Sequence, residues 1–176
     1  MDQSLKKIAL IGPESSGKTT LCMQLAVHFH TTWVPEFARQ YISSLNRKYL
    51  LDDIEYCSRH QLKSEEKMAD GATRLLFCDT EMIVSKVWCE DVFKVVPGWM
   101  EQTIDNHHYD LFLLTLPDIP FQHDDVRENP HRREFFFDWY KRELDDRKFS
   151  YEVVGGQGER RFSNSLAAIT KHFPEL

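Results

Sequence analysis

The chain has 176 residues, with 22 Lys or Arg against 28 Asp or Glu and a formal net charge of −6. That length suits one domain with a full hydrophobic core, and 41% hydrophobic with 28% charged residues excludes a disordered or fibrous chain. The acidic balance argues against a protein that holds nucleic acid by bulk charge, and no apolar run approaches the roughly 18 residues of a membrane span.

Residues 7–11 (KIALI) read as a compact strand, stopped by Gly12 and Pro13. This run is too short for a signal-peptide core, so the cytoplasm is the expected location. Over 17–30, Leu21, Cys22, Leu25, Ala26 and Phe29 recur at helical spacing and form one buried stripe. Trp33–Val34 is a short second strand ended by Pro35, and residues 38–45 and Leu51–Ala69 read as helices. Residues 74–79 (RLLFCD) are a third strand, and Ile83, Val84, Val87 and Trp88 mark one face of the helix after it.

Residues 111–116 (LFLLTL) form a fourth strand whose continuous apolar character requires cover on both sheet faces. The stretch 117–130 is rich in Pro, Asp and His, lacks periodicity and reads as a loop. Phe136, Tyr140 and Leu144 mark a helix, Tyr151–Val154 a fifth strand, and Phe162, Leu166, Ile169 and Phe173 a closing helix. The alternation predicts one α/β domain over 1–176, with a parallel sheet of about five strands and helices on both faces. Cys22, Cys57, Cys78 and Cys89 show no CxxC pair or zinc spacing and read as packed thiols. The eight histidines fall in no HExxH-like pattern, so no metal site is expected of them.

Between the first strand and helix, residues 12–19 (GPESSGKT) match GxxxxGK[ST] in full. Gly12 and Gly17 let the backbone turn so that N–H groups point inward as an anion nest, backed by the helix N-terminus. Lys18 is placed to reach the β- and γ-phosphates and Thr19 to ligate Mg²⁺. Gly12, Glu14, Ser15, Ser16, Gly17, Lys18, Thr19 and Thr20 are therefore the expected triphosphate-binding residues. The loop alone does not separate kinases from GTPases or other ATPases. Asp79 closes the third strand at the end where ligands bind in such sheets, and is expected with Thr19 at the Mg²⁺. Thr80 and Glu81 offer further oxygens, with helix capping as the competing role.

The motifs GPESSGKTT, Glu36-Phe37-Ala38-Arg39, Asp79-Thr80-Glu81 and, further on, Asp124-Asp125-Val126-Arg127 occur in one order along the chain. This set resembles the nicotinamide riboside kinase domain of NadR-type proteins, an AAA-type P-loop family, over nearly the whole chain. The resemblance implies a P-loop three-layer sandwich of the nucleoside-kinase kind, with a lid at about 117–133. It implies ATP and Mg²⁺, a small-molecule nucleoside acceptor, and transfer to its 5′-hydroxyl, with nicotinamide riboside the leading choice. Neither nucleic acid nor membrane is expected as a partner. No HxGH motif for adenylyl transfer is present.

Within this scheme Glu36 and Arg39, three apart, share a rim with the P-loop. The carboxylate is suited to an attacking hydroxyl and the arginine to a transferred phosphate. Trp33, Phe37, Tyr41 and Trp88 are available as aromatic walls or as core, and Trp88 is the one assigned to substrate. Arg127 in the lid is expected to neutralise charge on the transferring group, while Arg132 and Arg133 read as solvent-facing. Expected catalytic residues are thus Lys18, Glu36, Asp79 and Arg127, with Glu36, Arg39, Asp79 and Trp88 at the acceptor. The glycines of residues 155–158 permit close approach to a base, and no NKxD sequence for guanine is present. A nucleotide-dependent switch or a kinase of other acceptor choice is the alternative.

Overall fold

The computed structural model describes residues 4–106, 109–123 and 129–175. In chain order the elements are β1 (Lys6–Ile11), α1 (Lys18–His28), β2 (Trp33–Val34), α2 (Phe37–Ser43), α3 (Leu51–Ala69), β3 (Leu75–Asp79) and α4 (Met82–Phe93). They continue with α5 (Gly98–Asn106), β4 (Leu111–Thr115), α6 (Arg133–Asp146), β5 (Tyr151–Val154) and α7 (Glu159–His172). The five strands form one sheet in the order β2-β3-β1-β4-β5, and every pairing is parallel.

The apolar strands lack polar alternation because both faces are covered. Ile8 and Leu10 of β1, with Leu111 and Leu113 of β4, pack under α1 and α7 through Leu21, Leu25, Ile169 and Phe173. Ala9 and Ile11, with Phe112 and Leu114, face the other way, against Ile83, Val87, Met100, Tyr140 and Leu144 of α4, α5 and α6. The four cysteines are buried. None of the described helices is long and apolar enough to cross a membrane.

Register carries the functional consequence. Leu10 pairs with Asp79, Cys78 with Val34, and Ile11 with Leu114. The carboxyl ends of β1, β2, β3 and β4 therefore finish on one rim, which gathers the phosphate loop, Glu36, Asp79 and Thr115. Sequence order leaves β1 to one side for β3 and to the other for β4, the switch point at which open α/β sheets bind ligands.

Two differences from the sequence expectations stand out. The helix α5 was not anticipated: it is nine residues long and sends only Met100 and Ile104 into the core, too few for a periodic signal. The second helix begins at Phe37, one residue early, with Glu36 as its N-cap residue.

Candidate active site

At Gly12 the chain leaves β1 with φ of 152°, and a Cβ there would lie 2.2 Å from Thr115 Oγ1. Only glycine lets the loop cross the end of β4 this closely. Ser15 (φ 54°) and Gly17 (φ 81°) continue the turn in left-handed conformations. The Ser16 hydroxyl donates to Pro13 O at 2.8 Å and lies 2.6 Å from Thr115 Oγ1, which ties the loop to β4. Lys18 Nζ lies across the loop, donating to Gly12 O at 2.9 Å and Pro13 O at 3.0 Å. No side chain caps α1 and its first turn holds no carboxylate, so its amides face the loop's concavity unmasked.

Behind this nest, Thr19 Oγ1 donates to Asp79 Oδ2 at 2.6 Å. Asp79 is 0% exposed, and its Oδ1 has no hydrogen-bond partner. Burial raises its carboxyl above the ordinary carboxylate value, while Lys18, the Thr19 hydrogen bond and Arg39 pull it down. A hydroxyl and a carboxylate with an unsatisfied oxygen are a hard-oxygen donor set, which fits Mg²⁺. Thr80 follows at φ 74°, a strained position for a threonine, and its Oγ1 is also buried without a partner. Glu81 serves as helix cap: its carboxylate accepts the Ile83 N–H at 2.8 Å.

Glu36 and Arg39 both line the same cleft as the P-loop, as their spacing suggested. Burial raises the Glu36 carboxyl, opposed by Lys18 and Arg39 and reinforced by Asp79 and Glu14. The carboxylate therefore sits within the field of the P-loop lysine. Gln61, which no motif marks, holds this corner. Its Oε1 accepts the Phe37 N–H at 3.1 Å, and its Nε2 points to Asp79 O at 3.4 Å.

Of the four aromatic candidates only Trp88 lines the cleft, with its Nε1 donating to Tyr49 Oη at 3.1 Å. Trp33 packs with the α1 core, and Phe37 stacks on His60 at 3.6 Å. Tyr41 turns to Asp53. Their place in the wall is taken by Tyr49, Phe136 and Tyr140. Tyr49 comes from a loop that no motif marks, and Phe136 and Tyr140 from a helix whose periodicity marked them only as core.

Arg127 and the rest of the Asp124–Val126 motif lie outside the described residues. Arg132 and Arg133 do not merely face solvent. Arg132 forms a two-pronged pair with Asp91 of α4 at 2.6 and 2.8 Å, and Arg133 reaches the phosphate loop at Ser15 O. Residues on either side of 124–128 also touch that loop: the Gln122 N–H donates to Ser15 Oγ at 2.8 Å, and the Asn129 N–H to Glu14 Oε2 at 3.0 Å.

The sequence profile of an AAA-domain family matches residues 7–161. The chain belongs to that family. A relative with a NadR name, the trifunctional NAD biosynthesis/regulator protein NadR of Escherichia coli (strain K12), is 28% identical over 145 residues. The match covers 74% of this chain and 34% of that protein, so the chain spans about a third of this relative's length. A solved NadR protein in complex with NR superposes with a TM-score of 0.85 at 21% identity, over 98% of this chain and 52% of the other. Another, in complex with NAD and AMP-PNP, gives 0.79 at 20% identity, over 98% and 50%. Thymidylate kinase from Ehrlichia chaffeensis gives 0.67 at 13% identity, over 96% and 98%. The P-loop sandwich and the NadR resemblance read from GPESSGKTT, EFAR and DTE both hold.

Proposed function

We propose that this chain is a nucleoside kinase that moves the γ-phosphoryl group of ATP to the 5′-hydroxyl of nicotinamide riboside. The observation that carries the reading is a single cleft of about 1010 Å³ that joins the P-loop to Glu36, Arg39 and Trp88. A switch protein needs the first part of that cleft and has no use for the second. The NadR matches, one with NR and one with AMP-PNP, support this choice of acceptor and donor.

The chain's own residues supply position and charge, which is most of what phosphoryl transfer asks of a protein. Loop amides and Lys18 bind the β- and γ-phosphates. Thr19 and Asp79 would hold Mg²⁺, which when bound supplies positive charge across the phosphate oxygens. Glu36 accepts the hydrogen bond of the acceptor hydroxyl. As that oxygen bonds to the γ-phosphorus, the bond to the β,γ-bridging oxygen breaks with its electron pair leaving on ADP, and Glu36 takes the proton. Arg39 stands at the same rim to offset charge on the moving group, and Arg127 is proposed to do so from the lid.

A cleft lined by a carboxylate and a tryptophan suits a cationic pyridinium better than a neutral base. Cation–π contact alone contributes about 0.5–2 kcal/mol when partly desolvated. A panel of charged and neutral nucleosides with Mg·ATP, read for ADP and for phosphorylated product, tests this. The expected result is the highest kcat/KM for nicotinamide riboside, by about tenfold or more. Glu36→Gln should lower kcat for every nucleoside if it orients the hydroxyl. Better turnover of an ordinary purine or pyrimidine nucleoside contradicts the acceptor and leaves a kinase. ADP release indifferent to every nucleoside contradicts both.

A further inference from the structure

The outward side of the phosphate loop is held by two guanidinium groups that no motif announces. Arg161, 4% exposed in the first turn of α7, donates Nη1–H to Ser16 O at 2.5 Å. Its Nη2 reaches Leu116 O at 3.1 Å, its Nε Gly156 O at 2.8 Å, and its charge is paired with Asp118. Asp118 in turn accepts the Gly156 N–H at 2.6 Å. Arg133, the first residue of α6, donates Nη2–H to Ser15 O at 3.2 Å, and both terminal nitrogens to Ile119 O at 2.9 Å. Two consecutive loop carbonyls, Ser15 and Ser16, therefore accept from two arginines rooted in different elements. One arginine stands at the foot of the lid, the other at the foot of the glycine loop.

The consequence follows from peptide geometry. A trans peptide is planar, with C=O and N–H on opposite sides, and the described chain holds no cis bond. Fixing the Ser15 and Ser16 carbonyls outward turns the N–H groups of Ser16 and Gly17 the other way, toward the concave side of the loop. A cation on each carbonyl also polarises its peptide and strengthens the N–H as a donor, as in any hydrogen-bond chain. Ser15 needs such support, because a serine at φ 54° leaves the left-handed region readily unless its neighbours hold it.

We propose that Arg133 and Arg161 are positioning residues for the triphosphate: they orient and polarise the Ser15–Ser16 and Ser16–Gly17 peptides that bind phosphate oxygens. This rests on the triphosphate reading of the loop and adds to it. The arrangement makes phosphate affinity sensitive to the lid root through Arg133 and to the glycine loop through Arg161. Both act through the backbone, and neither needs to touch the ligand.

The experiment measures Kd for Mg·ATP, inorganic tripolyphosphate and adenosine in wild type, Arg133→Met, Arg133→Lys and Arg161→Lys, with thermal melting as the control for folding. Tripolyphosphate has no base, so it reports the loop without the glycine segment. Arg133→Met should weaken Mg·ATP and tripolyphosphate by the same factor, about tenfold, the scale of one hydrogen bond to a charged group. Adenosine affinity should stay unchanged. Arg133→Lys, which keeps the charge and loses the fork, should restore affinity only in part. Arg161→Lys should weaken tripolyphosphate likewise, and if its burial prevents folding, the Arg133 pair still decides.

Wild-type tripolyphosphate binding in folded Arg133→Met overturns the inference. So does a loss shared equally by adenosine, or full rescue by lysine. Wild-type protein that binds neither Mg·ATP nor tripolyphosphate overturns the triphosphate reading itself.

Discussion

Asp79, Thr80 and Glu81 are adjacent and do different work, which shows how much the backbone decides at the residue scale. Asp79 ends β3 facing the P-loop, Thr80 turns the chain at positive φ, and Glu81 points into the protein as a helix cap. Asp79→Asn keeps the shape and removes the charge proposed to organise Mg²⁺. Turnover should fall on the order of a hundredfold, the scale of losing one preorganised electrostatic group. The melting temperature should hold or rise, because burial disfavours the charged form of Asp79. Kinetics against Mg²⁺ concentration and a melting curve check both halves.

Glu81 gives a prediction of opposite character. Burial pushes its carboxyl up to about 8 from an ordinary 4.5. Between those values the folded chain holds a proton that the unfolded chain has lost. Its contribution to stability is whole below about pH 4.5 and is lost as pH rises to about 8, at about 1.4 kcal/mol per pH unit. Glu81→Gln should flatten that slope in denaturant titrations, and an unchanged slope would show that other groups set it. Lys18, Thr19 and Asp79 were legible in the sequence because their motif fixes both side chain and backbone path. Gln61, Arg133 and Arg161 were not, because their targets are main-chain groups that only the fold supplies.

Among elements, the strands were legible for a reason that also hid their order. KIALI and LFLLTL are apolar throughout because helices cover both sheet faces, and that fact is written in composition alone. Which strand lies beside which is not: β3 pairs with β1 across an intervening β2, and nothing local encodes it. The rim between α2 and α3 was read as two helices and a gap, yet Asp53 builds it into one unit. Its carboxylate accepts the Leu50 N–H at 2.7 Å, two bonds from Arg47, and the Tyr41 hydroxyl at 3.1 Å. Those bonds hold the Asp53 carboxyl well below the usual carboxylate range, the Arg47 hydrogen bonds most of all. Arg47 is half exposed, so the capping bond matters more than the ion pair. Asp53→Ala should cost about 1–3 kcal/mol in denaturant unfolding. It should also raise KM for the proposed acceptor above any change for ATP, since Arg47, Lys48 and Tyr49 line the cleft and Tyr49 accepts from Trp88. A loss confined to stability would show that the rim is scaffold alone.

For the whole molecule, the placement of the site at the switch point beside β1 puts the P-loop and the Glu36–Arg39 rim in one cleft. The P-loop side of the candidate site follows from one motif, whose residues all line the cleft except Pro13. The acceptor half was legible only as Glu36, Arg39 and Trp88, because its remaining wall is assembled from α6 and the α2–α3 loop, far apart in sequence. Gln122 and Asn129, on either side of residues 124–128, bond to Ser15 and Glu14 and so tie both flanks to the P-loop. In the proposed reaction the γ-phosphoryl group goes to a nucleoside hydroxyl and not to water. Phosphorus NMR of Mg·ATP with nicotinamide riboside and the purified chain reads that fate directly. A phosphate monoester signal should grow in step with ADP and be absent in Lys18→Ala. ADP accompanied only by inorganic phosphate, at the same rate with or without the nucleoside, would contradict it.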